Sequence, residues 1–319
     1  MLSNGNTQGA KQHQTYRLGL TTLVVTLLLI AVGGFTRGSG SGYGCAERWP
    51  LCKDGLLGGW LPRADFHMIV EWSHRWFAAA VGILAVATVV SAWRHHRHDR
   101  VVPFLATLAL ATIVFQAWIG RVVIQEQLDA DLVSLHLAIS LTAAALVMAT
   151  VITARFDHVR AMRRDGMWIS WLAGGAVFVF VVIMLGSVVH NMYFPGWPLM
   201  SGSLIPGFGS PEASLHFAHR VAAGLYAVIA VVLWVRARVR KRPSHEVAML
   251  AVAAVLYLTN IVVGAGHVFT KVSSAALVSL HLGLAATVWV LTIGTMVSAA
   301  RVGTTEAVGK PVGVRSSVF

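Results

Sequence analysis

The sequence predicts an all-α integral membrane protein in which eight transmembrane helices form two four-helix bundles. Of its 319 residues, 56% are hydrophobic and 12% are charged, and the mean hydropathy is +0.69. Soluble domains contain roughly 25% charged residues, so a single water-soluble domain is excluded. The high hydrophobicity also excludes intrinsic disorder. Eight long apolar segments and an internal repeat lead to the bundle architecture.

Eight apolar segments are long enough to cross a bilayer, which takes roughly 20 residues. The uncharged stretch between Asp165 and Glu212 holds one helix followed by a loop, because its second half is rich in glycine and proline. The predicted spans lie between Arg17 and Arg37, from about Phe66 to Arg94, between Arg100 and Arg121, between Asp131 and Arg155, and at about 167–189, 213–235, 247–268 and 274–299.

Basic residues concentrate on one side of the predicted membrane. Seventeen of the 25 Lys and Arg, with five acidic residues, precede span one, follow span eight or lie in the loops after spans two, four and six. The positive-inside rule therefore predicts cytoplasmic N- and C-termini. The net charge of +12 then faces the anionic inner leaflet of the lipid bilayer, and nucleic acid is not expected as a partner.

Four motifs of the first half recur in the same order in the second half, at offsets of 144 to 148 residues. The pairs are Trp49-Pro50-Leu51-Cys52 with Trp197-Pro198-Leu199-Met200, His74-Arg75 with His219-Arg220, Gly120 with Gly264, and Ser134-Leu135-His136-Leu137 with Ser279-Leu280-His281-Leu282. Each half contains an even number of spans, so the repeat is parallel, with its axis along the membrane normal. We therefore expect two four-helix domains, residues 1–160 and residues 161–319.

Four histidines, His74, His136, His219 and His281, occupy matched positions near the external ends of the even-numbered spans. An unpaired imidazole is costly in hydrocarbon, and in a helix bundle it commonly ligates a metal or haem. The alternative is a packing histidine that hydrogen-bonds a neighbour. Two repeated pairs favour ligation, and the lack of a matching second carboxylate or thiolate in each half favours haem. We expect one haem site from His74 and His136 and another from His219 and His281.

Glu71 breaks the symmetry of the repeat. It lies three residues before His74 on the same helical face, and His216 takes its place in the second half. A carboxylate at this depth costs about 2.5–3.5 kcal/mol on insertion scales, so a function is expected. One interpretation is a proton acceptor beside a reactive haem. The other is a carboxylate that only hydrogen-bonds a ligand histidine.

Cys45 and Cys52 enclose six residues in the first external loop, where disulfides can form. We expect a bridge, and whether it is structural or redox-active stays open. Tyr193 and Met200 hold the equivalent positions, so any redox role belongs to the first half.

Four arginines, Arg37, Arg75, Arg121 and Arg220, lie near the external ends of spans. Two roles are open for each of them. Arginine pairs well with carboxylates such as haem propionates, and it also extends from helix ends toward the interface.

These residues together resemble the haem A synthases. The resemblance covers roughly residues 17–300 and is carried by GGFTRGSGSG, WPLC, EWSHR and the paired Leu-His positions over eight spans. It implies an oxidoreductase that converts the C8 methyl of haem O to the formyl of haem A for terminal oxidases. The reaction implied is successive hydroxylation, with water as the oxygen source.

Residue roles follow from this resemblance. His74 and His136 would hold the substrate haem O, and His219 and His281 would ligate a haem B cofactor. Glu71 matches the family's essential acid, and Cys45 with Cys52 matches the external cysteine pair of a bacterial subgroup, which favours a bacterial cell membrane. One departure is His190, which stands where the repeat partner of Arg37 would be.

The resemblance also implies partners: haem O synthase, terminal oxidase assembly proteins and an electron acceptor. Two other functions remain open. A di-haem b-type electron carrier would explain the four histidines but not Glu71 or the cysteine pair. A haem transfer or chaperone protein would explain haem binding without chemistry.

Overall fold

The structure, a computed structural model, describes residues 4–156, 165–190, 192 and 194–302. Within these residues there are eight long helices, one short 3-10 helix at Leu57–Gly59, and no strand. All eight are long and apolar enough to cross a membrane, which confirms the predicted fold class. The helices are α1 Asn4–Gly38, α2 Phe66–His95, α3 Val101–Gln125, α4 Ala130–Arg155, α5 Gly166–Val189, α6 Pro211–Val239, α7 Ser244–Phe269 and α8 Ala275–Val302.

Several helices extend beyond the predicted spans. α1 begins at Asn4 rather than after Arg17, and α3 continues past Arg121 to Gln125. Charged residues mark where a helix leaves the hydrocarbon, but its backbone hydrogen bonding continues beyond them. Side chains cap the helix starts: Asp65 accepts from the backbone N–H of Met68 at 2.8 Å, and Asp129, Asp165 and Ser210 cap α4, α5 and α6 in the same way.

The helices pack as two closed rings of four. In the first ring α1 contacts α2, α2 contacts α3, α3 contacts α4, and α4 returns to α1; α5 to α8 repeat this order. Contacts between the rings run through α1 and α4 against α8, and through α4 against α5. These contacts support the predicted repeat of two bundles. The expected domain boundary at 160/161 lies outside the described residues.

Helices α4 and α8 form the centre of the molecule. Leu141 and Ala144 of α4 and Ala286 and Val288 of α8 are fully or almost fully buried in one hydrophobic core that spans both rings. The indole N–H of Trp289 on α8 donates to the backbone oxygen of Leu141 at 2.9 Å. The two rings therefore share a core.

Ion pairs link elements at the end of the molecule opposite the long loops 39–65 and 190–210. Arg242 donates to both carboxylate oxygens of Glu246 at 2.8 and 3.0 Å, and the indole N–H of Trp168 donates to the same carboxylate at 3.2 Å. Arg301 of α8 pairs with Asp99 of the α2–α3 loop at 2.7 Å and so joins the two rings. Some charged residues of the predicted asymmetry lie outside the described residues: Asp157, Arg160, Arg163, Arg164, Glu306, Lys310 and Arg315.

We predict that Glu246→Ala strongly lowers the thermal stability of the purified protein in detergent. Both side chains of the Arg242–Glu246 pair are almost inaccessible, and removing one partner of a buried pair costs about 3–5 kcal/mol. Glu126→Ala, at an exposed helix end, is the matched control and should leave the melting temperature unchanged. Equal melting temperatures for the two variants would contradict the importance of this pair.

Candidate functional site

A large cavity lies inside the two rings and reaches the long loops 39–65 and 190–210. Its volume is about 1140 Å³, and all eight helices contribute lining residues. Typical small-molecule pockets measure roughly 300–1,000 Å³, so this cavity exceeds them. Most of its lining is apolar, and its polar groups are few and identifiable.

The four predicted ligand histidines all line this cavity, and each lies against a glycine of the preceding helix. A methyl group on that glycine would come within 3.0 to 3.2 Å of the imidazole Cε1. The pairs are His74 with Gly33, His136 with Gly120, His219 with Gly186, and His281 with Gly264. Such a contact is tighter than ordinary packing, so a methyl group at any of these glycines would push the imidazole away by a few tenths of an ångström.

The ring nitrogens of these histidines are largely unused by the protein. Among the described residues, Nδ1 of His74, His136 and His219 is buried without a hydrogen-bond partner. Nδ1 of His281 lies 3.2 Å from the backbone oxygen of Asn260. An unpaired buried ring nitrogen is costly, and neutral imidazoles in an apolar chamber are the donor set that haem iron accepts. These residues therefore fit a haem in each ring.

Glu71 is buried at the loop side of the same cavity, with 2% of its surface exposed. Its Oε2 accepts from the backbone N–H of Cys45 at 2.6 Å, and its Oε1 accepts from Nε of Arg75 at 3.1 Å. Because Nδ1 of His74 has no described partner, Glu71 does not hold that ring nitrogen in place. The carboxylate is thus connected to the cysteine loop.

Cys45 and Cys52 form the predicted disulfide. Both residues are fully buried and pack with Met68 and Trp72 of α2. The bridge closes the loop whose Cys45 N–H contacts Glu71, so it holds the donor to that carboxylate. In the second half Met200 is buried at the equivalent position, and Tyr193 lies outside the described residues.

Arg75 and Arg220 each connect a long loop to a helix that carries a predicted ligand, His74 on α2 and His219 on α6. Nη1 of Arg75 donates to the backbone oxygens of Arg48 at 2.6 Å and Leu51 at 2.9 Å. Arg220 donates to the backbone oxygens of Gly196 at 2.7 Å and Phe194 at 3.3 Å. This loop contact was not predicted from the sequence.

The four predicted propionate partners differ in position. Arg37, Arg75 and Arg220 line the cavity, so their side chains could contact the propionates of a haem bound there. Arg121 is exposed and is not a lining residue, because its neighbour Gly120 occupies the face of α3 that is turned inward. Propionate pairing stays a prediction for the three lining arginines and has no structural support for Arg121.

The second ring contributes three more histidines to the cavity, His190, His216 and His267. His216 Nε2 lies 3.0 Å from the backbone oxygen of Met192, and the His267 ring packs edge-on against His281 with centroids 5.3 Å apart. Burial, and next the charges of Arg37 and His267, lower the pKa of His190. His267 was not predicted as a site residue. Its repeat counterpart is Val123, and this change from an apolar residue to a histidine is the signal in the sequence that points to it.

The fold and the site define a polytopic membrane protein with a histidine-lined chamber suited to haem. A family model described as cytochrome oxidase assembly protein matches residues 61–293, and the chain belongs to this family. Proteins named Heme A synthase are among its relatives. That of Symbiobacterium thermophilum is 30% identical over 233 residues, 69% of this chain and 74% of the relative. That of Geobacillus kaustophilus is 27% identical over 269 residues, 79% of this chain and 81% of the relative. The resemblance predicted from the sequence is confirmed.

We predict that Gly264→Ala releases haem from the second ring and Gly120→Ala weakens haem binding in the first. In each case the new methyl group displaces an imidazole that now lies about 3 Å from its position. Gly174→Ala is the matched control, since a methyl group there meets no described atom within 4 Å. Absorption spectra and extracted haem content of the purified variants measure the effect. Wild-type haem content in both test variants would contradict the predicted seating of the ligands.

Proposed function

We propose that this protein is a haem A synthase that oxidises the C8 methyl of haem O to the formyl of haem A. The observation that carries the proposal is the buried Glu71 beside one of two otherwise repeated histidine pairs. The family membership and the relatives named Heme A synthase support the same reaction. The product would serve terminal oxidase assembly.

We assign the substrate haem O to His74 and His136 and a haem B cofactor to His219 and His281. The acid stands only in the first ring, where a reacting methyl group needs it. The second ring has His216 at that position. The ring of His281 is further constrained by the Asn260 carbonyl, because a hydrogen bond to the other ring nitrogen orients an imidazole ligand, and this favours a permanently bound haem. When bound there, haem B supplies an electron carrier between the substrate and the electron acceptor.

The reaction releases protons that the site must accept. Conversion of a methyl group and one water to a formyl group releases four electrons and four protons. The electrons leave to the acceptor, and Glu71 takes protons at its carboxylate oxygens. The Cys45 N–H and the Arg75 guanidinium hold this carboxylate at the cavity wall and stabilise its charged form between transfers.

A di-haem electron carrier is the second candidate function, because both rings contain a histidine pair packed against glycines in the same way. One experiment separates the synthase from the electron carrier. The protein is purified from a host that makes haem O, and its extracted haems are identified by chromatography and mass analysis. Haem A or hydroxylated haem O supports the synthase. Haem B alone would contradict it and favour the carrier.

We predict that Glu71→Gln lowers haem A formation by at least about 100-fold, because general acid–base groups contribute about 10²–10⁴-fold. Haem O and haem B binding should persist, since Glu71 is not a ligand. Glu47→Gln, in the exposed part of the same loop, is the matched control. Extracted haems are quantified over time. A Glu71→Gln variant that makes haem A at the normal rate would refute the proton-acceptor role.

We further propose that the protein lies in the bacterial cytoplasmic membrane with both termini cytoplasmic, where haem O synthase and oxidase assembly proteins would be its partners. Basic residues at the end opposite the long loops support this orientation. The described ones include Arg17, Arg94, Arg97, Arg100, Arg155, Arg236, Arg238, Arg240, Lys241, Arg242 and Arg301. The disulfide in loop 39–65 agrees with an oxidising external compartment.

Reporter fusions test this orientation. Alkaline phosphatase inserted after Gly58 in loop 39–65 should be active, because the enzyme requires an oxidising compartment. The same reporter inserted after Arg97 in the α2–α3 loop should be inactive. The reverse pattern would place the long loops in the cytoplasm and contradict the orientation.

A further inference from the structure

The cavity reaches the line of contact between α2 and α3. Six residues of these helices line it at this point: Ala78, Ala79, Gly82, Ile113, Val114 and Ala117, here called the α2–α3 window. Ala79 and Ala117 are exposed, and Val114 has 62% of its surface exposed. A methyl group at Gly82 would meet no described atom within 4 Å. Residues of the window thus line the chamber, are mostly small or exposed, and leave open space at Gly82, as a lateral passage to the lipid-facing surface requires.

The window lies deeper in the membrane than the ligand histidine. On α2, Gly82 is eight residues from His74 toward the end opposite the long loops, about 12 Å along a helix. On α3, Ile113 is seven residues from Gly120, the seat of His136, about 10 Å in the same direction. An apolar group leaving the first haem position through the window would thus enter hydrocarbon.

At the equivalent contact of the second ring, the seam between α6 and α7, two tyrosines stand where the first ring has aliphatic residues. Tyr257 of α7 takes the place of Ile113, and Tyr226 of α6 takes the place of Val81. Their rings pack perpendicular to each other with centroids 4.6 Å apart, and they are 3% and 1% exposed. The Tyr257 hydroxyl donates across the seam to the backbone oxygen of Ala223, the repeat counterpart of Ala78, at 3.0 Å. The bulkier Ile261 takes the place of Ala117, whereas Gly224 takes the place of Ala79, so the closure of the second ring rests on Tyr257 and Ile261.

An aromatic edge borders the window on the loop side. Trp76, 45% exposed, lines the cavity and packs against Trp72 and Trp60 with ring centroids 5.8 and 6.5 Å apart. The indole N–H of Trp72 donates to the backbone oxygen of Trp60 at 2.8 Å. The repeat counterpart of Trp76 is Val221, so this edge is also confined to the first ring.

From this asymmetry we propose that haem O enters and haem A leaves laterally through the α2–α3 window, with the long isoprenoid chain of the substrate lying in the window. Haem O differs from haem B by a farnesyl-derived chain, which is too apolar to cross the polar loops readily. Small side chains leave room for that chain where the tyrosine pair closes the second ring over its resident haem. This inference rests on the proposed function and names the substrate route of that same site.

The test transfers the closure of the second ring to the first with the double substitution Ile113→Tyr and Ala117→Ile. Wild-type and variant protein, purified with haem B and placed in lipid nanodiscs, receive vesicles that contain haem O, and bound haem O is extracted over time. We expect uptake of haem O to fall at least tenfold while haem B content stays at the wild-type level. Ala111→Ile, an exposed α3 position outside the cavity, is the matched control and should not change uptake.

The reverse exchange opens the second ring. Tyr257→Ile with Ile261→Ala should increase the rate at which haem B leaves to acceptor vesicles about tenfold, with haem O uptake in the first ring unchanged. This variant keeps the proposal falsifiable if the first one fails to fold.

The outcomes distinguish the window from the function. Wild-type haem O uptake in a folded Ile113→Tyr, Ala117→Ile variant, or unchanged haem B release in the opened variant, would overturn the window while leaving the synthase intact. Wild-type protein that takes up haem O in this assay, but that carries neither haem A nor hydroxylated haem O when purified from a host that makes haem O, would overturn the function and leave the window. Wild-type protein that takes up no haem O would overturn both.

Discussion

The seating of each imidazole against a helix glycine is the contact on which the rest of the site depends. An imidazole at this depth is costly to expose to lipid, so it has to lie inside the protein. To bind haem iron, it also needs a ring nitrogen that no protein group uses. Glycine on the preceding helix allows the ring to approach the helix backbone, and the same arrangement occurs four times. The closed four-helix rings then hold the histidines around one chamber rather than against lipid.

Differences between the two rings account for the chemistry. The repeat places a histidine pair in each ring, and the rings then differ at single positions. The differing pairs, first ring and second ring, are Glu71 and His216, Ala117 and Ile261, and Val123 and His267. The first ring has an acid, a disulfide-closed loop and an open seam. The second has extra histidines and a seam closed by tyrosines. A ring that exchanges substrate needs access, and a ring that keeps a cofactor needs closure.

Loops and helices are coupled at the external side of the chamber. Arg75 contacts both Glu71 and the backbone of the cysteine loop, and Cys45 donates to the same carboxylate. The loop therefore forms part of the surroundings of Glu71, the proposed proton acceptor, and is not only a cover. Arg220 fastens the second loop in the same manner, but His216 there contacts the backbone oxygen of Met192 instead of receiving a backbone N–H.

The sequence by itself determined the eight spans, the parallel repeat, the four histidines and Glu71, because hydrocarbon imposes long apolar segments and makes intramembrane polar residues conspicuous. It did not reveal the glycine seats at Gly33 and Gly186, whose spacing of 153 residues departs from the repeat offset since the second long loop is shorter. The inward position of His267, the outward position of Arg121 and the α2–α3 window were decided only by the tertiary structure. Each depends on which face of a helix meets its neighbours, and packing between helices distant in sequence sets that rotation.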